Sequence, residues 1–266
     1  MSYTTLHIVR RLNVIQLLVD EKNYSDSFKL SGLEITIEPS KITLLLGHNG
    51  SGKTTAIKSL FGLTDYKGRL LIDEQPIDYN DLQSIQLLKE TIGYISDDSS
   101  LFYFLTANEY LSLQRSATRG GYDTPFIDQL IKLFQFEQYL NEPIEELSYG
   151  NKKKLQIISQ LARKPKYIVI DEPTNGLDPD MIIVLKKLLI KLKNTGIGML
   201  VCTHNLRFGE ELMDSVVIMR EGQVLLHSTK NEILSIYDTQ NMESVYQQVN
   251  EHYYNVIEGM INAIHV

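Results

Sequence analysis

The chain holds one cysteine, Cys202, in 266 residues, so it can close no disulfide on itself. Such sparing use is that of a reducing compartment. Cys202 ends the apolar run Met199 to Cys202, where it reads as an inert buried side chain. No apolar run of about 18 residues occurs, so no membrane-spanning helix is expected. Arg10 and Arg11 interrupt what would be the apolar core of a secretory leader, and none is expected. Positive charge is in short supply: 26 Lys and Arg face 33 Asp and Glu, for a net charge of −7. That balance leaves no overall nucleic-acid footprint, and no nucleic-acid partner is expected. The short basic run Lys152-Lys153-Lys154 reads as a solvated helix start. Internal repeats and low-complexity linkers are also missing. The length fits one large α/β domain or two small ones, enough to bury a core without staples.

What is present is dominated by Gly47-His48-Asn49-Gly50-Ser51-Gly52-Lys53-Thr54, a glycine, four residues, then Gly-Lys-Thr. This is the phosphate-loop pattern. Ile42 to Leu46 leads in as a buried strand and Thr54 to Leu60 follows as a helix, which is the context the motif needs. Glycines let several backbone N–H groups converge on one phosphate, and the helix N-terminus adds its positive end. Lys53 would reach the β- and γ-phosphates, the Thr54 hydroxyl would ligate Mg²⁺, and Thr55 would meet the α-phosphate. ATP and Mg²⁺ are the expected ligands.

Around the loop, Leu12 to Val19, Phe28 to Ile37, Gly68 to Ile72, Tyr167 to Ile170, Ile197 to Cys202, Ser215 to Met219 and Val224 to Leu226 read as strands. Glu221-Gly222 reads as a hairpin turn and Gly62 as a helix cap. Between Asp98 and Lys164 apolar residues recur at helical spacing, as in Ile127, Leu130, Ile131 and Phe134, which marks a helical insertion in an α/β core. Met181 to Lys193 is an amphipathic helix. The last 30 residues read as helical and polar, with Tyr253, Val256, Ile257 and Ile261 as an apolar stripe.

Tyr167-Ile168-Val169-Ile170-Asp171-Glu172 is an apolar strand ending in two carboxylates. Asp171 at the strand end can hold Mg²⁺ through water, and Glu172 is then placed to polarise an attacking water. Ser148, in Leu147-Ser148-Tyr149-Gly150-Asn151, reads first as a helix cap. The same five residues resemble the Leu-Ser-Gly-Gly-Gln signature of the ATP-binding-cassette (ABC) family. Asn175-Gly176-Leu177-Asp178 resembles that family's dimer-contacting loop, and His204, after Thr203, resembles its switch histidine. The resemblance covers roughly 12–235 and is to the ATP-binding subunits of ABC transporters.

That resemblance implies an α/β fold: a phosphate-loop NTPase core with a β subdomain and an inserted α-helical subdomain. It implies one nucleotide-binding domain over 1–266, with a catalytic core at 1–97 and 165–235, the helical subdomain at 98–164 and a C-terminal tail at 236–266. It implies a head-to-tail dimer, homo- or heteromeric, in which Ser148, Gly150 and Asn151 face the γ-phosphate held by the partner subunit. Lys53, Glu172 and His204 are the catalytic set, and Gly47 to Thr55 the nucleotide cradle. Tyr24 is either the adenine-stacking aromatic or a surface tyrosine in a polar loop. The chain would drive a separate transmembrane permease from the cytoplasmic face.

Three positions depart from the family pattern. Asp97 stands where a glutamine normally touches Mg²⁺ and the attacking water; it is either a metal ligand or a loop cap, with the register open by one residue. Tyr149 and Asn151 replace a glycine and a glutamine of the signature. Ser40 replaces a glycine in the turn before the loop strand. The aromatics of Ser100 to Thr106 either face a permease helix or pack the subdomain core. The segments 95–111 and 242–246 resemble elements of bacterial drug, peptide and lantibiotic exporters, so export of a peptide, drug or similar substrate is expected. A soluble ABC-type switch acting on a cytosolic assembly is the alternative. A small-molecule kinase would leave Ser148 to Asn151 and His204 without a role.

Overall fold

The computed structural model describes residues 13–25, 28–98, 101–118, 123–237, 239 and 241–264. Two sheets and the helices around them enclose two apolar cores. The larger sheet runs β10-β9-β3-β8-β7-β6, built from β3 (Ile42–Leu46), β6 (Ile92–Ile95), β7 (Tyr167–Asp171), β8 (Gly198–Thr203), β9 (Ser215–Arg220) and β10 (Gln223–Thr229). Its strands are parallel except for β10, which folds back on β9. Glu221 and Gly222 both take positive φ, 50° and 78°, as a two-residue hairpin turn requires. The smaller sheet is antiparallel, in the order β2-β1-β4-β5: β1 (Ile15–Ser25), β2 (Phe28–Ile37), β4 (Lys67–Ile72) and β5 (Gln75–Pro76). β1 starts inside the expected range and runs six residues beyond it, to Ser25.

The central strands are apolar on both faces because both faces are covered. Side chains alternate between them. Ile42, Leu44, Leu46, Ile168, Ile170, Met199 and Val201 enter one core with the helices α5 (Tyr149–Ala162), α6 (Pro179–Asn194) and α7 (Leu206–Leu212). Leu45, Val169, Leu200 and Cys202 enter the other, with α1 (Lys53–Leu60) and the antiparallel sheet. Cys202 is fully buried, and burial raises its thiol pKa well above the ordinary value.

Between β6 and β7 the chain is helical: α3 (Ala107–Ala117), α4 (Thr124–Leu133), two short 3₁₀ turns and α5. Phe134 and Phe136 are fully buried there. Each helix has a local start signal. Thr106 and Glu109 form a capping box on α3, Asp123 caps α4 ahead of a proline, and Ser148 caps α5 through the Asn151 N–H at 3.2 Å. Three helices were not anticipated, one of which, Lys230–Tyr237, begins ahead of the expected tail. α2 (Leu82–Thr91) buries only Leu88 and Thr91, so its apolar stripe is faint, and α7 has only seven residues. The C-terminal stretch forms α8 (Lys230–Tyr237), α9 (Met242–Val249) and α10 (Glu251–Asn262). Met242 and Val245 of α9 are fully buried, whereas the α10 side chains Tyr253, Val256 and Ile261 are exposed. No helix among the described residues is long and apolar enough to cross a membrane.

Candidate functional site

β3, β7 and β8 are adjacent and parallel, so their C-terminal ends emerge side by side. These strand ends and the loops that follow carry the phosphate-loop residues, Asp171-Glu172 and Thr203-His204. After β3 the backbone turns through left-handed Gly50 and Gly52, with φ of 84° and 111°. A Cβ at Gly47 would run into the Ser51 side chain, so the loop closes only around glycine there. α1 then begins at Lys53. The Lys53 ammonium donates to Gly47 O at 2.7 Å and His48 O at 3.3 Å, and lies 3.7 Å from Glu172 Oε1.

Glu172 is the hub. It is buried, and its own backbone sits at φ 45°, a conformation an L-residue adopts at a cost. Its N–H donates to Cys202 O at 2.9 Å, which ties β7 to β8. The Thr203 hydroxyl donates to Oε2 at 3.2 Å and the His204 N–H approaches it at 3.4 Å. His204 Nδ1 lies 2.9 Å from Oε1. Lysine, glutamate and histidine, 151 positions apart in the chain at most, therefore meet around one carboxylate.

Beside them opens a cleft of about 380 Å³. Asn49, Gly50, Gly52, Lys53, Thr54 and Thr55 form one wall, and Asp97, Asp171 and Glu172 the other. Burial raises the Asp171 pKa to about 6, helped by the charges of Glu172 and Asp97 and opposed by Lys153 and Lys53. Lys153, on α5, is buried and its pKa falls to about 8 because burial disfavours the ammonium. It donates to Ser96 O at 2.8 Å and Asp171 O at 3.0 Å.

These residues suit a magnesium nucleotide. The donor set is hard oxygen, from two carboxylates and the exposed Thr54 hydroxyl, as Mg²⁺ prefers. No cluster of three acidic, histidine or cysteine side chains fit to cage a metal occurs among the described residues. The Ser51 hydroxyl is buried in the loop with no hydrogen-bond partner among the described residues.

Ser148, Gly150 and Asn151 do not line this cleft; they sit at the start of α5. The side chain of Tyr24 lies outside the described residues. Phe28, which sequence reasoning passed over, lines the cleft. Lys153 was also missed as a site residue, because in sequence it looks like one of three surface lysines.

A family model for ABC transporters matches residues 30–175. The chain belongs to the ABC transporter ATP-binding family. An energy-coupling factor transporter ATP-binding protein, EcfA2 of Clostridium perfringens, is 33% identical over 82% of this chain and 79% of its own length. A cobalt import ATP-binding protein, CbiO of Salmonella paratyphi A, is 29% identical over 80% of this chain and 79% of its own. Among solved structures, cbiO1 of Clostridium perfringens, described as part of the ABC transporter complex cbiONQ, superposes with a TM-score of 0.70. It shares 29% identity and covers 94% of this chain and 99% of its own. The ABC ATPase fold is thus shown, with its mixed sheet and antiparallel β subdomain. As an ABC transporter ATPase, the chain is an ATP-hydrolysing motor subunit coupled to transport. The export grouping suggested by 95–111 and 242–246 finds no support among these relatives, of which CbiO is named for import.

Proposed function

We propose that ATP is hydrolysed at the Glu172 carboxylate, and that the cycle drives import through separate membrane subunits. The carrying observation is the meeting of Lys53, Thr203 and His204 on that buried carboxylate. The phosphate-loop N–H groups and Lys53 bind the β- and γ-phosphates. Thr54, Asp171 and Asp97 would hold a Mg²⁺ ion, which would supply charge neutralisation to the phosphates. Glu172 accepts a hydrogen bond from the attacking water and takes up its proton as the new bond to the γ-phosphorus forms and the bond from that phosphorus to the bridging oxygen breaks, with ADP as the leaving group. His204, 2.9 Å from Glu172, holds the carboxylate in place and gives the site a group that can report the γ-phosphate.

A second subunit completes the site. Ser148, Gly150 and Asn151 stand at the exposed N-terminus of a 14-residue helix, away from the cleft of their own chain. In a head-to-tail dimer they close on the partner's γ-phosphate, where the helix dipole favours negative charge. ATP then joins the subunits, and hydrolysis releases them. We place the residues 98–164 as the subdomain that swings in this cycle, and 236–266 as a tail whose helix α9 packs on α7. Phe102, Tyr103 and Phe104 are exposed, Phe104 by 80%, and form the face offered to a membrane subunit. Direction and partner are read from the relatives' names, cobalt import and the cbiONQ complex, and the membrane subunit selects the cargo.

The dimer carries the direct test. Glu172→Gln with Mg-ATP should sediment as a dimer and return to monomer when ATP is removed. Adding Ser148→Arg should abolish the dimer while nucleotide still binds. A dimer indifferent to both ATP and Ser148 would overturn the shared-site reading.

A further inference from the structure

The departures Tyr149 and Asp97 lie 52 residues apart and meet in space. The Tyr149 hydroxyl is 3.2 Å from Asp97 Oδ1 and 3.1 Å from Asp97 O. Asn175 Nδ2 donates to the same Oδ1 at 2.9 Å. Oδ1 therefore has two donors within reach, while Oδ2 has no hydrogen-bond partner among the described residues. Asp97 lines the cleft with Asp171 and Thr54.

The tyrosine ring is seated by glycines. A Cβ at Gly176 would run into the Tyr149 ring, and one at Gly150 would run into Gly176 O. The start of α5 thus interlocks with the loop after β7. One turn further along the same helix face, Lys153 grips Ser96 O and Asp171 O, and beyond it the Gln156 amide meets the Ser96 hydroxyl at 2.7 Å. Residues 149, 153 and 156 together hold the loop 96–97 from one side.

We propose that Tyr149 is a positioning residue for the metal–nucleotide site: with Asn175 it clamps Asp97 Oδ1, leaving Oδ2 for a divalent cation that arrives with nucleotide. This rests on the proposed function. An aspartate is one methylene shorter than the glutamine usual in the family, so its reach depends on a fixed rotamer. The Asn175 amide and the Tyr149 hydroxyl, whose one proton is shared between Asp97 Oδ1 and Asp97 O, fix it before the ligand binds, which removes an ordering cost from binding. The tyrosine replaces a signature glycine, and the aspartate a glutamine; the geometry makes them one unit.

Mn²⁺ is the probe, titrated by electron paramagnetic resonance into the purified chain with a non-hydrolysable ATP analogue. Tyr149→Phe keeps the ring on Gly176 and removes only the hydroxyl. It should weaken Mn²⁺ binding about fivefold, the scale of one lost hydrogen bond. In an Asp97→Ala background the same substitution should change nothing, because its effect passes through Asp97. A role in partner docking or folding would weaken binding equally in both backgrounds, and that result overturns the clamp, as does unaltered Mn²⁺ affinity in Tyr149→Phe. A second readout needs no nucleotide: amide exchange across residues 95–98 should quicken in Tyr149→Phe, and an unchanged profile also counts against the clamp. If the unsubstituted chain binds no analogue, the nucleotide reading itself falls and takes this inference with it.

Discussion

Glu172 sits at φ 45° because three fixed groups demand it there: Cys202 O for its N–H, and Thr203 and His204 for its carboxylate. A strained backbone held by its surroundings is a common trait of reacting positions. Removing the Thr203 hydroxyl leaves that buried carboxylate short of a donor. Thr203→Val should cost roughly 1.5–3 kcal/mol of stability in chemical denaturation, the range for a hydrogen bond to a charged group. It should also lower kcat while KM for ATP holds. Ser40 shows the opposite case. It occupies a glycine position at φ 59°, and nothing in the site needs its side chain. Ser40→Gly should stabilise the fold by roughly 0.5–1 kcal/mol, the left-handed strain less the entropy glycine loses on ordering. The motif residues were legible in sequence because phosphate chemistry fixes their spacing: 47–54 in one loop, 171–172 at one strand end. Tyr149, Lys153 and Asn175 were not legible as partners of Asp97 and Asp171, because their meeting depends on how α5 packs against two loops far off in sequence.

At the scale of elements, the alternation in β3, β7 and β8 decides the layering, and it was readable as near-continuous apolar runs. α2 escaped notice for the converse reason, since a helix burying two side chains carries little period. The helical insertion depends on its own small core. Phe134 is fully buried in it, and Phe134→Ala should cost about 3–5 kcal/mol, read as a shift of the urea midpoint. The exposed N-caps give the insertion and its neighbours an acid limit. Helix and turn N–H groups hold the pKa values of Asp81 and Glu109 below their ordinary values, and the Lys164 ion pair, with a backbone N–H, does so for Asp123. A lowered pKa means that this stabilisation is complete above the unfolded values and disappears as pH falls through the folded ones. An Asp81→Asn, Glu109→Gln, Asp123→Asn triple variant should therefore lose stability near neutral pH yet converge with the parent in acid melts. Parallel pH curves would contradict the capping account.

Over the whole molecule, the catalytic cleft and the exposed aromatics of 102–104 belong to different faces of use, one for ATP and one for a partner. Phe104 is too exposed to carry stability, so Phe104→Asp should shift it by no more than about 0.5 kcal/mol. It should keep basal ATP turnover and lose association with the membrane subunit in a co-expressed complex; retained association would move the docking face elsewhere. The family was legible from four motifs in order, whereas direction was not, because the short segments 95–111 and 242–246 carry packing residues such as Ile95, Tyr110, Met242 and Val245. What joins these scales is hydrolysis at one carboxylate. The decisive measurement is steady-state phosphate release by the purified chain and by Glu172→Gln at saturating Mg-ATP. The account predicts turnover in the parent and a loss of roughly 10²–10⁴-fold in the variant with ATP still bound; undiminished turnover in Glu172→Gln would contradict it.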